Sequence, residues 1–488
     1  MRSWLDAVAP VRMRRVALVF PAGSQRDVLV RVADAAAVDL GRSDGDVLAA
    51  GDAARRLQHA GHRVADAALS AGLPDLDLLE QAGRYDLLAG EAQLEAHAAT
   101  AVRRAGAAAL AGWIPADRLP AVTATLEDVG GALVPLPFPP GSEPPTLLGG
   151  QPMRRSLAPL VETYGTVPYA DVDPSWLAWA SYVLMFGVMF GDVGEGVALL
   201  AVAFALRVGW PRWARRFRRA WPFVGGAGLA ATVCGLLYGE FFGPTGLVPA
   251  LWADPLSHSL RLLSLAVGVG VVLLAGAYAL GAVNRWREGG LPSALYAPSG
   301  IAGIAVFLGA GAAAAGWYLR HGLLLAGGGC LAAAGLVLAA AGFVANAGGG
   351  AAGTIQASVE LFDLVLRLGS NVVSFTRLGA FGLTHAALGL IVWEGTRALW
   401  RHGGGLTVAA VVLFAAGTAL AFSLEALVAA IQALRLEYYE LFSRVFTAQG
   451  RPFRPWHVPT VSGLEVIAGN EVPASGAANG TSVKEEIM

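Results

Sequence analysis

Lysine is almost missing from this chain: in 488 residues the only example is Lys484. No GxxxxGK[ST] stretch is present, so a loop that cradles phosphates with backbone N–H groups and a lysine is excluded, and no nucleotide or other cofactor is expected to bind. Cysteine is nearly as scarce. Cys234 and Cys330 lie inside apolar runs without metal-ligand spacing, so both read as small core residues, and no metal centre is expected. Charge is thin as well, with 15% charged against 55% hydrophobic residues and a net charge of -1. No broad basic field exists to attract a polyanion, which excludes nucleic acid as a partner. A signal-peptide core is also missing: VALVF, after the basic MRSWLDAVAPVRMRR, is too short for one. The N-terminal part is therefore expected in the cytoplasm.

What the chain does have is long apolar sequence, unevenly placed. Residues 1–173 mix charged, Ala-rich and Pro/Gly-rich segments, whereas residues 174–448 contain several runs near or above the roughly 20 residues that span a bilayer. In the first part RRVALVFP reads as a strand, followed by a helix from about Gln25 and a short strand near Ala37 to Leu40. AAALAGWIP, a helix over Asp117 to Val129 and ALVPL form a second α/β unit, with Ala/Leu-rich helical sequence between the two. The spacing predicts a cytoplasmic α/β domain with its linker over residues 1–150, a membrane domain over 151–461 and a disordered tail over 462–488.

Eight spans are expected, at 174–190, 192–208, 222–242, 259–283, 298–318, 322–347, 355–399 and 406–448. The first two share the turn FGDVG and read as a closely packed hairpin. Arg207, Arg212, Arg215, Arg216, Arg218 and Arg219 follow the second span, whereas residues 243–258 contain no Lys or Arg. The positive-inside rule puts that cluster, the N-terminal domain and the C-terminus on the cytoplasmic side. The cluster either sets topology against lipid headgroups or docks a cytoplasmic partner. The last two spans would extend roughly 65 Å each, about twice the hydrocarbon thickness, so they must tilt, bend or project. The fold class is thus mainly α: an eight-span membrane domain with two long tilted C-terminal helices, preceded by a small α/β domain.

Charge inside those two helices is the strongest functional signal. On the seventh span Asp363, Arg367, Ser370, Ser374, Arg377, Thr384 and His385 fall within a sector of about 100°. On the eighth, Glu425, Gln432, Arg435 and Tyr439 form a sparser stripe. A permanent cation in hydrocarbon is costly and marks a functional position whose partner must be named. Arg377 has no carboxylate within four residues on its own helix. It keeps its charge at any physiological pH, so it cannot carry a proton but can hold a carboxylate ionised and block proton passage. Arg435 either makes a clasp with Glu425 or Asp363 or faces the same outside partner. His385 either relays protons or bonds a neighbouring helix.

Several stretches, in order along the chain, resemble subunit a, called subunit I in prokaryotes, of the V-type and archaeal-type rotary ATPases. They are GWIPADRLPAV, PPTLLGG with VETYGTVPYADVDPS, FGVMFGDVGEG, GLLYGEFFG, SNVVSFTRLGAFGLTHAALG and LEALVAAIQALRLEYYELFSRVFTAQGRPFRPW. The resemblance implies a non-catalytic stator subunit that forms ion half-channels against a ring of c subunits, each bearing a membrane carboxylate. It puts the family's essential arginine at Arg377, its histidine at His385 and its last-helix glutamate and arginine at Glu425 and Arg435. Asp363, Ser374 and Gln432 complete the expected ion path. A cell-membrane complex, protons in preference to sodium, and peripheral stalk subunits bound by the N-terminal domain are further expectations. That domain is shorter than is usual in the family. Glu195 and Glu240 stand where the family commonly has histidine and a small polar residue; they either add carboxylates near an aqueous path or face the interfacial region. A secondary transporter would show paired repeats with broken helices, which are not evident here. A membrane scaffold would leave both polar stripes unexplained.

Overall fold

The computed structural model describes residues 9–41, 51–61, 66–138, 142–148, 152–348 and 350–461. The expected disordered tail and parts of the linker lie outside them. The chain divides into two compact units, one containing Arg12–Pro145 and the segment from Phe453, the other Thr146–Pro452.

The first unit is built on strand β1 (Met13–Pro21), whose alternation buries Val16, Leu18 and Phe20. Helix α1 (Gln25–Ala35) follows, ending where Ala36 turns left-handed at φ 47°. The strand expected near residues 37–40 is reduced to one bridge, Asp39 to Trp113. That left-handed turn redirects the chain before a ladder can extend. Helix α2 (Asp52–His59), strand β2 (Leu69–Ser70) and helices α3 (Leu76–Gln81) and α4 (Tyr85–Ala99) come next. Strands β3 (Val102–Arg104) and β4 (Ala107–Pro115), helix α5 (Leu119–Glu127) and strand β5 (Ala132–Pro135) then complete an antiparallel sheet of order β3-β4-β1-β5. Strand β6 (Thr460–Val461), near the C-terminal end of the described chain, pairs in parallel with β2, and Trp456 donates to the Val38 carbonyl at 2.9 Å.

One ion pair ties the helices of this unit together. Arg26 on α1 makes a bidentate contact to Glu91 on α4, at 2.5 and 2.6 Å, and its guanidinium also donates to the Ser70 and Gly72 carbonyls.

The second unit begins with helix α6 (Pro152–Tyr164), followed by α7 (Ser175–Met189) and α8 (Val193–Val208). These last two replace the first two expected spans. With 15 and 16 residues they reach only about 22–24 Å, short of the roughly 30 Å hydrocarbon thickness. Nor do they form a closely packed hairpin. Each packs chiefly on helix α9 (Trp221–Tyr238), through Gly187 of α7 against Ala230 and Gly196 of α8 against Gly228 and Thr232. Small residues let these backbones approach closely, which apolar bulk would prevent.

Six helical stretches among the described residues are long and apolar enough to cross a membrane, so the expected count of eight is not confirmed. They are Arg212–Tyr238, Ser259–Tyr296, Ile301–Tyr318, Gly322–Asn346, Ala351–His402 and Leu406–Val445. The second is α10 (Ser259–Tyr296), broken at Gly289 and Gly290 ahead of Pro292. Helices α11 (Ile301–Tyr318) and α12 (Gly322–Asn346) pack closely where Gly309 and Gly316 meet the backbone of Ala332 and Leu325.

Both long terminal courses are present, and neither is a uniform helix. The first divides into α13 (Gly350–Ser374) and α14 (Thr376–His402) at Phe375. There the Phe375 N–H bonds to Val372 and the Leu378 N–H to Phe375, a tightened turn of i to i+3 type. Phe375 is fully buried against Gly270 of α10, where any Cβ would collide with its ring. The second runs through α15 (Leu406–Leu436), a π-helical turn (Glu437–Phe442) and a last turn, α16 (Ser443–Val445).

Removing the carboxylate in Glu91→Ala strands a mostly buried guanidinium. A loss of about 3–5 kcal/mol is expected, read as faster protease cleavage within residues 12–145 of the purified chain. An unchanged cleavage rate contradicts this account of the unit.

Candidate functional site

The polar cluster is positioned by a carboxylate that the sequence reading passed over. Asp192, fully buried between α7 and α8, caps α8 by accepting from the Glu195 N–H at 3.0 Å. It also accepts from the Phe242 and Gly243 N–H groups at 3.0 and 2.8 Å, drawing in the loop after α9. A carboxylate at a helix N-terminus meets unsatisfied N–H groups and the positive end of the dipole, so this is a strong joint. The Val193 N–H, next in sequence, donates to the Glu240 carbonyl at 3.0 Å. The backbones of Glu195 and Glu240 are thereby held beside one another.

Into this joint α14 inserts His385. Gly389, one turn on, allows the approach because its Cα face meets Gly243 directly. The ring lies tilted against Phe190, with centroids 5.0 Å apart, and its Nδ1 bonds to Glu425 of α15. On the other side, Nε2 lies 3.9 Å from Glu195 Oε2 and 3.8 Å from Glu240 Oε2. The side chains of His385, Glu195 and Glu240 are 8, 5 and 4% exposed. The interfacial reading of Glu195 and Glu240 is therefore replaced: both are interior carboxylates around one imidazole.

The other expected residues lie outside this cluster. Asp363 and Arg367 pair with each other on α13 at 2.6 Å and remain half-exposed and exposed. Arg435 is exposed on α15 and pairs with neither Glu425 nor Asp363, so the clasp is absent; those carboxylates are taken by His385 and Arg367. Ser374 and Arg377 are half-buried on either side of the Phe375 break. The Arg377 side chain has no hydrogen bond or ion pair among the described residues. Gln432 is half-buried, with a buried, unpartnered Oε1. Helices α14 and α15 are joined by the short turn at residues 403–405 and run antiparallel. By helical rise Arg377 lies about 12 Å from the His385 level, near the level of Gln432 and Arg435. The residues of the stripe expected from Asp363 to His385 do not share one environment: Arg367, Ser370 and Thr384 are exposed, Asp363, Ser374 and Arg377 are half-buried and His385 is buried.

Two further polar residues join the long courses to the rest of the unit. Glu437, in the π turn, is buried and accepts from Ser181 of α7 through both oxygens, at 2.9 and 2.7 Å. Asn371 of α13 presents its amide nitrogen to Glu440 at 2.8 Å and its oxygen to Arg444 at 2.9 Å. Neither stood out in sequence, since a π turn changes which side of a helix faces inward. Asp192 did carry a signal: D-x-x-E is a capping-box spacing.

Residues 99–252 match the V-type ATPase 116 kDa subunit family. Over that stretch the chain resembles this family. It is similar to the A-type ATP synthase subunit I of Aeropyrum pernix, with 30% identity over 62% of this chain and 50% of that protein. The V-type ATP synthase subunit I 2 of Treponema pallidum is 33% identical over 29% of this chain and 34% of that protein. The V-type proton ATPase subunit a of Neurospora crassa is 33% identical over 20% of this chain and 12% of that protein. The chain spans about half the length, or less, of these curated relatives. The matched family segment contains α7, α8 and α9, and with them Asp192, Glu195 and Glu240. His385 and Glu425 come from beyond it, so the cluster joins the 116 kDa subunit segment to the two long C-terminal courses.

Replacing Asp192 by Ala leaves three backbone N–H groups without their acceptor. A cost of about 3–5 kcal/mol is expected from the lost charged hydrogen bonds, seen as a lower thermal unfolding temperature of the detergent-solubilised protein. An unshifted unfolding temperature contradicts the role given to this joint.

Proposed function

We propose that this chain is the stationary membrane subunit of a rotary V/A-type ATPase or ATP synthase, forming the ion half-channels against a ring of c subunits. It performs no hydrolysis itself; ATP is made or consumed by the soluble motor of the complex. The observation that carries the reading is Arg377, a half-buried guanidinium in a long apolar course with no partner in its own chain among the described residues. An arginine held within apolar sequence needs a counter-charge, and a carboxylate arriving on another subunit supplies one.

The surroundings support that partner. Helix α15 exposes Leu420, Leu424, Leu427, Val428 and Ile431, and α13 exposes Phe362, Val365, Leu366 and Val373. These bare faces flank Ser374, Arg377, Gln432 and Arg435, and suit a moving apolar ring edge as well as lipid. Each ring carboxylate, on reaching Arg377, is held ionised and gives up its ion. Because a guanidinium does not release its proton, it also blocks direct leakage between the two half-channels. His385 and Glu425 line the half-channel at one end of the long helices, and Asp363 with Arg367 lies toward the other. An imidazole bonded to a carboxylate can take up and release protons, which favours protons over sodium. The complex is placed in the cell membrane, with the N-terminal unit and the C-terminus cytoplasmic, and the N-terminal unit binds the peripheral stalks. The relatives named as ATP synthase and proton ATPase subunits support the same assignment.

Two substitutions test it in membrane vesicles carrying the assembled complex. Arg377→Ala is expected to leave assembly intact and reduce ATP-driven ion pumping at least about 100-fold, the loss of nearly 3 kcal/mol of charge stabilisation; normal coupled pumping rejects the gate. Glu425→Gln is expected to slow pumping with assembly retained, and rates unchanged from wild type across pH remove Glu425 from the path.

A further inference from the structure

The arrangement around His385 has the form of a metal site. Its Nδ1 bonds to the Glu425 carboxylate, which orients the ring and leaves Nε2 as the free donor. Metal-binding histidines are held in this way, with the second nitrogen engaged by a carboxylate. The free Nε2 points between Glu195 Oε2, at 3.9 Å, and Glu240 Oε2, at 3.8 Å. Glu195 Oε2 is buried and has no hydrogen-bond partner, although its side chain is 95% enclosed. A partly open cavity of about 10 Å³ borders Glu195, His385, Glu425 and Thr418, though not Glu240, with room for about one water-sized sphere.

We propose that Glu195, Glu240 and Nε2 of His385 form a binding site for one divalent transition cation of the Zn²⁺ class, with Glu425 as the positioning residue for the ring. One imidazole and two carboxylates make a borderline donor set that suits Zn²⁺ and disfavours Mg²⁺ and Ca²⁺, which take oxygen ligands. Donors about 3.3 Å apart surround a tetrahedral zinc, so binding draws each carboxylate about half an ångström closer to Nε2 and swings the two carboxylates toward one another. The two carboxylates balance the ion's charge, and the bordering cavity leaves a position for water. Asp192 fixes the backbones that carry both ligands, so the site does not depend on a mobile loop. With the ion bound, His385 and Glu195 are locked together. Resting on the functional reading above, Zn²⁺ then closes this half-channel and inhibits pumping.

The binding test uses the purified full-length chain in detergent, without a histidine tag, dialysed against Zn²⁺ in the presence of excess Mg²⁺, with bound metal counted by mass spectrometry. One zinc per chain is expected. Glu195→Gln and Glu240→Gln are expected to weaken binding at least about tenfold, and Glu195→His, which restores a donor, to regain it. No stoichiometric zinc in the wild-type chain, or equal binding by Glu195→Gln, overturns the site. A second arm measures ATP-driven pumping by the assembled complex. Wild-type pumping is expected to fall with Zn²⁺ and return on chelation, and the Glu195→Gln complex, relative to its own zinc-free rate, to need at least about tenfold more zinc. Pumping by a complex whose chain binds no zinc overturns the metal site and leaves the rotary reading standing. Zinc bound by a complex that cannot pump leaves the site standing and counts against the rotary reading. Pumping indifferent to zinc at full occupancy overturns the inhibition.

Discussion

Asp192 is a single buried carboxylate on which the polar interior of the larger unit depends. Its two oxygens gather three backbone N–H groups, from the start of α8 and from the loop after α9. In an apolar interior such groups find no water, so an internal acceptor is required and the geometry it imposes is stiff. Because Glu195 and Glu240 hang from the segments that Asp192 joins, their carboxylates are presented at fixed positions. The imidazole of His385 and the carboxylate of Glu425 then complete an arrangement drawn from four helices or their ends.

The same shortage of water explains the contrast between the two kinds of charge in the long helices. His385 is paired with Glu425 and Arg367 with Asp363 within the chain, whereas Arg377 and Arg435 have no ion pair among the described residues. Unpaired charge beside bare apolar helix faces is stable only when lipid headgroups, water or another subunit covers it. Phe375 adds a geometric element. Its buried ring against Gly270 anchors the break between α13 and α14, two residues before Arg377. The break decides where that guanidinium is aimed relative to the residues that precede it.

Much of the local architecture was legible in advance. β1, β4 and the turn into α1 followed from alternation and punctuation, and the two long terminal courses from unbroken apolar length. The count of eight spans is not confirmed at α7 and α8, whose bounds follow the expected ones closely but whose 15 and 16 residues are short for a crossing. The polar stripe did not become one environment, because a helical wheel tells which side of a helix a residue takes and not what covers that side. The Arg435 clasp failed for a simpler reason: complementary charges in a sequence do not say which pairs meet.

By itself, the sequence determined that the chain has a long apolar part, that arginine and carboxylates lie within it, and that it resembles the rotary ATPase membrane subunit. Composition and periodicity are properties of neighbouring residues, and those conclusions need nothing more. Only the tertiary structure decided that Glu195 and Glu240 share one imidazole with Glu425, that Asp363 and Arg367 satisfy one another, and that Arg377 is left over. Those outcomes depend on contacts between residues up to 230 positions apart, as in Glu195 and Glu425, and such contacts are set by which helices pack together.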